Sequence, residues 1–315
     1  MKKKKKRGRA EELPPTIISH FTPFYAISLA AFLDNKRQAV CSGPVQLLDF
    51  EAPDAKVLIV DDNAMNLKVA AGLMKPYNMR VTTVDSGIKA IELLKEDPTY
   101  DIVFMDHMMP IMDGVETTTR IRNIKDPYYM QLPIVALTAN TVNNAKKMFL
   151  DSGFNDFLAK PINVNFLDRM LRIHLPKDKI HALKSKTQLP KASVETTGFA
   201  NNKETNQSIF DTQLGLTYTA GNQELYLDIL REYVEKADEM KNYITNSFAK
   251  KDWSNYIIKV HALKSTSMTI GAVPLSELAK ELELSGKAAD YDPILQKTDL
   301  LLEQYEEVLK AALDF

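Results

Sequence analysis

Between about residues 55 and 175, short apolar runs alternate with segments in which apolar residues recur every three or four positions. A continuous apolar run is typical of a strand buried on both faces of a sheet, and the longer spacing is typical of an amphipathic helix. Five strands that alternate with five helices predict an α/β fold built on a doubly wound parallel sheet. The predicted strands are 56–60, 80–84, 101–105, 133–137 and 157–159, and the predicted helices are 64–75, 87–95, 114–124, 145–152 and 164–174.

The pattern changes twice after this region. Residues 176–208 are rich in Lys, Thr, Asn and Ser and show little periodicity, which is typical of a linker. From residue 223 onward the helical spacing continues to the end, with predicted helices at 223–250, 253–270, 274–288 and 293–313. Four amphipathic helices joined by short turns predict an antiparallel four-helix bundle.

The charged residues are unevenly distributed along the chain. The 315 residues include 40 Lys+Arg and 41 Asp+Glu, and seven of the basic residues fall within the first ten positions. Without those seven, 33 basic residues face 41 acidic ones, a balance of −8. An acidic body disfavours a DNA-binding fold. The basic start, residues 1–15, is predicted to be disordered, although a lysine run could also bind nucleic acid or acidic lipid.

Two other classes are disfavoured by the sequence. The single cysteine, Cys41, excludes an internal disulfide framework and a cysteine-based zinc site. The longest nearly apolar stretch covers residues 21–33, which is too short for a transmembrane helix of about 20 residues. Acidic residues and prolines precede it where the core of an export signal should begin. We therefore predict no membrane span and a cytoplasmic location.

Polar residues stand where the predicted strands end. They are Asp61 and Asp62, Asp106, Thr138 and Lys160. In an open parallel sheet these ends lie along one edge, where ligands bind. Neighbouring carboxylates attract a counterion, and oxygen ligands suit Mg²⁺. A lysine and a hydroxyl beside them predict a pocket for a transferring phosphoryl group, with one carboxylate as the nucleophile.

These residues sit in motifs that resemble a response-regulator receiver domain, over about residues 55–175. The motifs are DD at 61–62, MDHMMPIMDG at 105–114, ALTA at 136–139 and KP at 160–161. The resemblance implies a flavodoxin-like sheet with strand order 2-1-3-4-5 and Asp106 as the phosphoacceptor. It also implies that Asp62, Asp106 and the backbone carbonyl of Met108 bind Mg²⁺ directly, and that Asp61 acts through water.

The same resemblance assigns roles to residues near the last strand. Thr138 and Lys160 would hold the phosphoryl oxygens. Phe157 matches an aromatic switch position that follows the threonine inward. The peptide bond before Pro161 is expected to be cis.

A second candidate site lies in the predicted helix 253–270. His261 and Lys264 share a helix face, and the small Ser265 leaves the imidazole accessible. A neutral imidazole accepts a phosphoryl group, and a lysine supplies positive charge for its oxygens. The segment HALKS, with Gly271 ten residues after the histidine, resembles a histidine-phosphotransfer domain over residues 209–315. The same five letters at 181–185 are not followed by that glycine, so His261 is the predicted phosphoacceptor.

Residues 16–38 weakly resemble the end of a receiver domain, so 16–54 is predicted to be a degenerate receiver remnant with a linker. Such a remnant implies the C-terminal part of a hybrid sensor histidine kinase. The glycine-rich boxes of a kinase core are absent from this sequence.

The predicted function is that of a phosphorelay carrier rather than an enzyme. A sensor histidine kinase would act upstream, and a receiver-domain response regulator would act downstream. The phosphoryl group on Asp106 would exchange with His261 or with partner proteins. The alternatives are a Mg²⁺-dependent phosphatase with an aspartate nucleophile, a truncated hybrid kinase that is inactive without its core, and a DNA-binding response regulator.

Overall fold

The computed structural model describes residues 48–139, 143–187 and 209–315. The predicted basic start, most of the interval 16–54 and the later part of the predicted linker lie outside these residues.

A five-stranded parallel sheet forms the centre of the first domain. Its strands are β2 (Lys56–Val60), β3 (Arg80–Val84), β4 (Ile102–Asp106), β5 (Ile134–Thr138) and β6 (Asp156–Ala159). They are arranged in the order β3-β2-β4-β5-β6, which confirms the predicted order 2-1-3-4-5. Every residue of β4 and β5 is buried, as expected for central strands covered on both faces. The predicted strand bounds are correct to within one residue.

Helices connect these strands. They are α1 (Ala64–Met74), α2 (Gly87–Glu96), α3 (Gly114–Arg122), α4 (Pro127–Gln131), α5 (Asn143–Asp151) and α6 (Val164–His174). Side chains of Asn63, Ser86 and Asp113 accept hydrogen bonds from the first turns of α1, α2 and α3, which explains where these helices begin. The short α4 was not predicted, because five residues are too few to show a helical period.

A second, two-stranded sheet corrects the prediction of a linker over 176–208. Strand β1 (Leu48–Glu51) pairs antiparallel with β7 (His181–Thr187), after a 3₁₀ turn at Lys177–Lys179. The hydrogen bonds of β7 therefore come from a partner more than 120 residues away in sequence. The composition of a segment cannot predict pairing with a strand so distant in sequence.

The C-terminal domain is helical. Its helices are α7 (Thr212–Tyr218), α8 (Gln223–Glu235), α9 (Ala237–Ala249), α10 (Trp253–Ile270), α11 (Val273–Lys287) and α12 (Asp292–Leu313). The single helix predicted at 223–250 is two helices separated by Lys236, because α8 packs against α1 of the first domain whereas α9 packs against α10. Helix α7 was not predicted.

Gly271 explains how α10 ends against α7. It adopts a left-handed conformation with φ of 88°. A Cβ atom at this position would lie 2.0 Å from the carbonyl oxygen of Asp211, the N-cap of α7. Glycine is therefore required both for the turn and for the close approach of the two backbones.

The two domains share one apolar core, and both belong to a single compact unit. Leu225 of α8 lies over Gly72 of α1, where a Cβ atom would come within 2.6 Å of the leucine side chain. Beside them, Lys68 Nζ lies 3.4 Å from Glu232 Oε2. Within the described residues, no helix is both long and apolar enough to cross a membrane.

Candidate functional site

The strand register brings the predicted acids to one edge of the sheet. Val60 pairs with Met105, and Asp106 pairs with Leu137, so Asp61 and Asp106 end neighbouring strands at the same level. On the other side of β5, the amide of Lys160 donates to the carbonyl of Thr138 at 2.8 Å. The sheet therefore brings Asp61, Asp106 and Lys160 together from the ends of three strands, as the sequence predicts.

Lys160 binds both buried acids. Its Nζ lies 2.6 Å from Asp61 Oδ2 and 2.8 Å from Asp106 Oδ2. The two aspartates are 0% and 2% exposed. Asp61 Oδ1 also accepts hydrogen bonds of 3.0 Å from the Asn63 amide and the Asn66 side chain. These contacts give the buried carboxylates the hydrogen bonds that solvent would otherwise supply.

Burial and charge give the three acids different proton affinities. Burial, with repulsion from Asp106, raises the pKa of Asp61 to about 7 despite Lys160. Burial and Asp106 also raise the pKa of Asp62 to about 6. Burial would raise the pKa of Asp106 too, but Lys160, His107 and His261 outweigh it and hold that pKa well below its usual range. Asp106 is therefore the carboxylate of the three that holds its negative charge most strongly, as suits a nucleophile.

The acid cluster fits a divalent cation. One oxygen each from Asp61, Asp62 and Asp106 lies within 4.8 Å of the others. Burial and repulsion from Asp106 raise the pKa values of Asp61 and Asp62, so a cation would favour their charged forms, and such oxygen donors are those that Mg²⁺ prefers. The amide of Met108 donates to Asp106 Oδ1 at 3.4 Å. The proposed role of the Met108 carbonyl as a metal ligand stays a prediction.

The other predicted residues of this domain surround the pocket. Thr138 is buried at the end of β5. Phe157 is half-buried on β6, and its ring stacks on Phe149 with centroids 6.5 Å apart. The Lys160-Pro161 bond is cis, as the receiver resemblance implies. Gly114 is also explained, since a Cβ atom there would lie 2.1 Å from the carbonyl oxygen of Asp106.

His261 of α10 is held by a carboxylate that the sequence did not single out. Its Nδ1 lies 2.8 Å from Glu283 Oε1 of α11. Because a carboxylate accepts, Nδ1 donates and the lone pair of the ring is on Nε2. That Nε2 atom is buried and has no hydrogen-bond partner. The imidazole is therefore oriented with its nucleophilic nitrogen free.

Two lysine side chains pair with Glu283. Lys264 donates to Glu283, and Lys287 Nζ lies 2.5 Å from Glu283 Oε1. Lys264 Nζ also lies 3.4 Å from His261 Nδ1, so its positive charge is beside the ring as well as the carboxylate. An acid in the buried stripe of α11 was the available sequence feature, since Glu283 follows the buried Leu282. Its partner could not be inferred, because it lies on another helix.

The proton affinities of this pair favour a neutral nucleophile. Burial lowers the pKa of His261 to about 4, although Glu283 opposes the shift. Burial would raise the pKa of Glu283, but His261 and the two lysines hold it well below its usual range. At neutral pH, His261 therefore keeps an unprotonated nitrogen beside an ionised carboxylate.

The two candidate sites face each other, which the sequence did not predict. One donor atom each from Asp106, His107 and His261 lies within 4.8 Å of the others. The rings of His107 and His261 meet edge to face with centroids 5.6 Å apart. On the same helix face as His261, Ser265 borders a small cavity with Asp61 and Lys160. The helical domain therefore docks its histidine directly on the predicted phosphoacceptor.

Comparisons with known families agree with both resemblances. A family model of the response regulator receiver domain matches residues 57–172, and one of the Hpt domain matches residues 228–312. Sensor histidine kinase GacS of Pseudomonas protegens is 31% identical over 250 residues, which are 79% of this chain and 26% of that protein. Signal transduction histidine-protein kinase BarA of Escherichia coli K12 is 27% identical over 260 residues, 81% of this chain and 27% of that protein.

The chain thus spans about a quarter of the length of these relatives. Among solved structures, the receiver domain of a sensor histidine kinase from Pseudomonas aeruginosa is 35% identical. The match covers 38% of this chain and 96% of that one, with a TM-score of 0.35.

Proposed function

Because this chain carries a receiver domain followed by an Hpt domain, and so belongs to two-component phosphorelay signalling, we propose that Asp106 and His261 of one chain exchange a phosphoryl group directly. One observation carries this proposal: a nitrogen of His261 and an oxygen of Asp106 lie within 4.8 Å of each other in a buried site. Most of the surrounding polar atoms are already paired, whereas His261 Nε2 is not.

The chemical step follows from the contacts. The lone pair on His261 Nε2 attacks the phosphorus of an acyl phosphate on Asp106. A nitrogen–phosphorus bond forms, the phosphorus–oxygen bond breaks, and its electron pair returns to the Asp106 carboxylate. The proton on Nδ1 stays between the ring and Glu283, whose negative charge balances the positive charge that the ring acquires.

The remaining residues of the pocket support both directions of transfer. Lys160 stabilises the Asp106 carboxylate as it is released, because it is already 2.8 Å from that group. Asp61, Asp62 and Asp106 would hold Mg²⁺, which neutralises phosphoryl oxygens when bound. Met108 would contribute its backbone carbonyl, and Thr138 its hydroxyl. Phe157 would report the state of the pocket as a switch residue.

We place this chain as a phosphocarrier between partner proteins. Asp106 would receive its phosphoryl group from a sensor histidine kinase, and His261 would pass it to the receiver domain of a response regulator. GacS and BarA are themselves histidine kinases, which supports a role as the C-terminal relay portion of such a protein. This role places the chain in the cytoplasm, where a single cysteine is also unremarkable.

The test is to label the purified chain with a radioactive small-molecule phosphodonor and Mg²⁺, then classify the label by its stability. Acyl phosphates are lost in base, whereas phosphohistidine is lost in acid and survives base. Wild type should carry both labels, Asp106→Asn should carry neither, and His261→Gln should carry only the base-labile label. Full labelling of Asp106→Asn through His261 would refute the proposed entry at Asp106.

A further inference from the structure

The contact between the two domains contains a second group of metal-type donors. Asp106 ends β4, His107 follows it, and His261 comes from α10, and one donor atom of each lies within 4.8 Å of the others. Their side chains are 2%, 13% and 5% exposed. Within the part of the chain that the structure describes, the other such group is the acid cluster already assigned to Mg²⁺.

Both imidazoles have one nitrogen held by an oxygen acceptor, as metal-binding histidines usually do. His107 Nδ1 lies 3.1 Å from the carbonyl oxygen of Leu137, and His261 Nδ1 lies 2.8 Å from Glu283 Oε1. These oxygens accept, so each ring carries its hydrogen on Nδ1 and its lone pair on Nε2. Metal-binding histidines commonly donate their other nitrogen to a carbonyl or a carboxylate in this manner.

Neighbouring positive charges do not block the group. Lys160 is paired with Asp61 and Asp106 Oδ2, and Lys264 and Lys287 are paired with Glu283. The amide of Met108 and His107 Nδ1 approach the other oxygen, Asp106 Oδ1, at 3.4 and 3.6 Å. The buried Nε2 of His261 has no partner at all. The lone pair of this nitrogen is therefore available to a ligand.

We propose that Asp106, His107 and His261 bind a transition-metal ion of the Zn²⁺ type, which joins the two domains and stops phosphoryl transfer. Imidazole nitrogens suit Zn²⁺, Co²⁺, Ni²⁺ and Cu²⁺, whereas Mg²⁺ takes oxygen ligands. Two histidines and one carboxylate form a common zinc ligand set with a position left for water. Zn–N bonds of about 2.0–2.1 Å require donors about 3.3 Å apart, so side-chain rotation must bring the three donors closer.

Inhibition follows from the use of the same lone pair. A metal ion on His261 Nε2 occupies the electron pair that attacks phosphorus, and on Asp106 it occupies the phosphoacceptor. Mg²⁺ at Asp61, Asp62 and Asp106 leaves the histidine lone pair free. The two kinds of ion therefore have opposite effects on the relay: Mg²⁺ supports it and Zn²⁺ stops it.

Cobalt provides a test that does not depend on phosphoryl transfer. Co²⁺ bound by histidine nitrogen absorbs visible light, so the full chain is titrated with Co²⁺ and the bound ion is then displaced with Zn²⁺. Wild type should show a saturable band, and His107→Phe and His261→Gln should each weaken Co²⁺ binding at least tenfold. One control should retain the band: His181→Gln, which replaces an exposed histidine elsewhere.

Circular dichroism confirms that each variant is folded, and His107→Gln replaces His107→Phe if the latter is not. A band that persists at full affinity in either histidine variant overturns the proposal, and so does the absence of a band in wild type. Because the readout is metal binding, the proposal can fail while transfer from Asp106 to His261 still occurs, and the reverse also holds.

Discussion

Replacing Glu283 with glutamine removes one negative charge from the site and changes little else in shape. Glu283 is the residue that orients His261 and pairs with Lys264 and Lys287. Glutamine keeps an oxygen that accepts from His261 Nδ1. The substitution therefore tests whether the charge, rather than the hydrogen bond alone, supports phosphoryl transfer.

The expected magnitude comes from the charge that develops on the ring. A hydrogen bond to an ionised group contributes roughly 1.5–3 kcal/mol, against roughly 0.5–1.5 kcal/mol for a neutral pair. The difference of about 1–1.5 kcal/mol corresponds to a transfer rate that is lower by about 5–13-fold. Stability should fall as well, because Lys264 loses its buried partner, and breaking a buried pair costs about 3–5 kcal/mol.

The assay follows conversion of base-labile to acid-labile label in a rapid-quench experiment on folded protein. Glu281→Gln is the matched control, because Glu281 lies on the same helix but is half exposed and pairs with Lys297. The control should transfer at the wild-type rate and lose less than about 1 kcal/mol of stability. A wild-type transfer rate in folded Glu283→Gln would refute the role assigned to this carboxylate.

Further predictions concern the docking of the domains, the protonation of His261 and the binding of Mg²⁺. Gly72→Leu should push Leu225 away and slow transfer to His261 without lowering the labelling of Asp106. The control Glu92→Leu, at an exposed position, should change neither the transfer nor the labelling. Equal phosphohistidine formation in the two variants would contradict the docking of the domains. Because the pKa of His261 is about 4, its ring should stay neutral from about pH 5.5 to 8 in an NMR titration of the histidines, and a His261 midpoint near 6.5 would contradict the buried neutral ring. The same shift should make wild type lose stability relative to His261→Gln in thermal melts as pH falls from about 6.5 to 4, since the unfolded imidazole gains its proton first. Chelation of Mg²⁺ should abolish the labelling of Asp106, and undiminished labelling would contradict the assignment of the acid cluster.

The receiver pocket could be predicted closely because its residues follow the ends of parallel strands, and the receiver resemblance supplies the strand order. Asp61, Asp106 and Lys160 meet where a parallel sheet must place them. His261 was identified for a similar reason, since its neighbours on one helix turn are close in sequence. In each case local spacing carried the information.

What escaped prediction depends on partners that are distant in sequence. Strand β7 exists because β1 pairs with it, and Glu283 matters because α11 lies against α10. His107 occupies a motif position without an assigned role, and it gains significance only when the helical domain brings His261 to it. The docking of the domains rests on shape, such as the contact of Leu225 with Gly72, which a periodic pattern does not encode.

The central claim, that Asp106 passes its phosphoryl group to His261 of the same chain, is tested most directly by complementation between chains. Wild type should form phosphohistidine at a rate that is independent of protein concentration. A mixture of Asp106→Asn and His261→Gln should form it far more slowly, at a rate that rises with concentration. Equal rates in the mixture and in wild type, or a wild-type rate proportional to concentration, would contradict transfer within one chain.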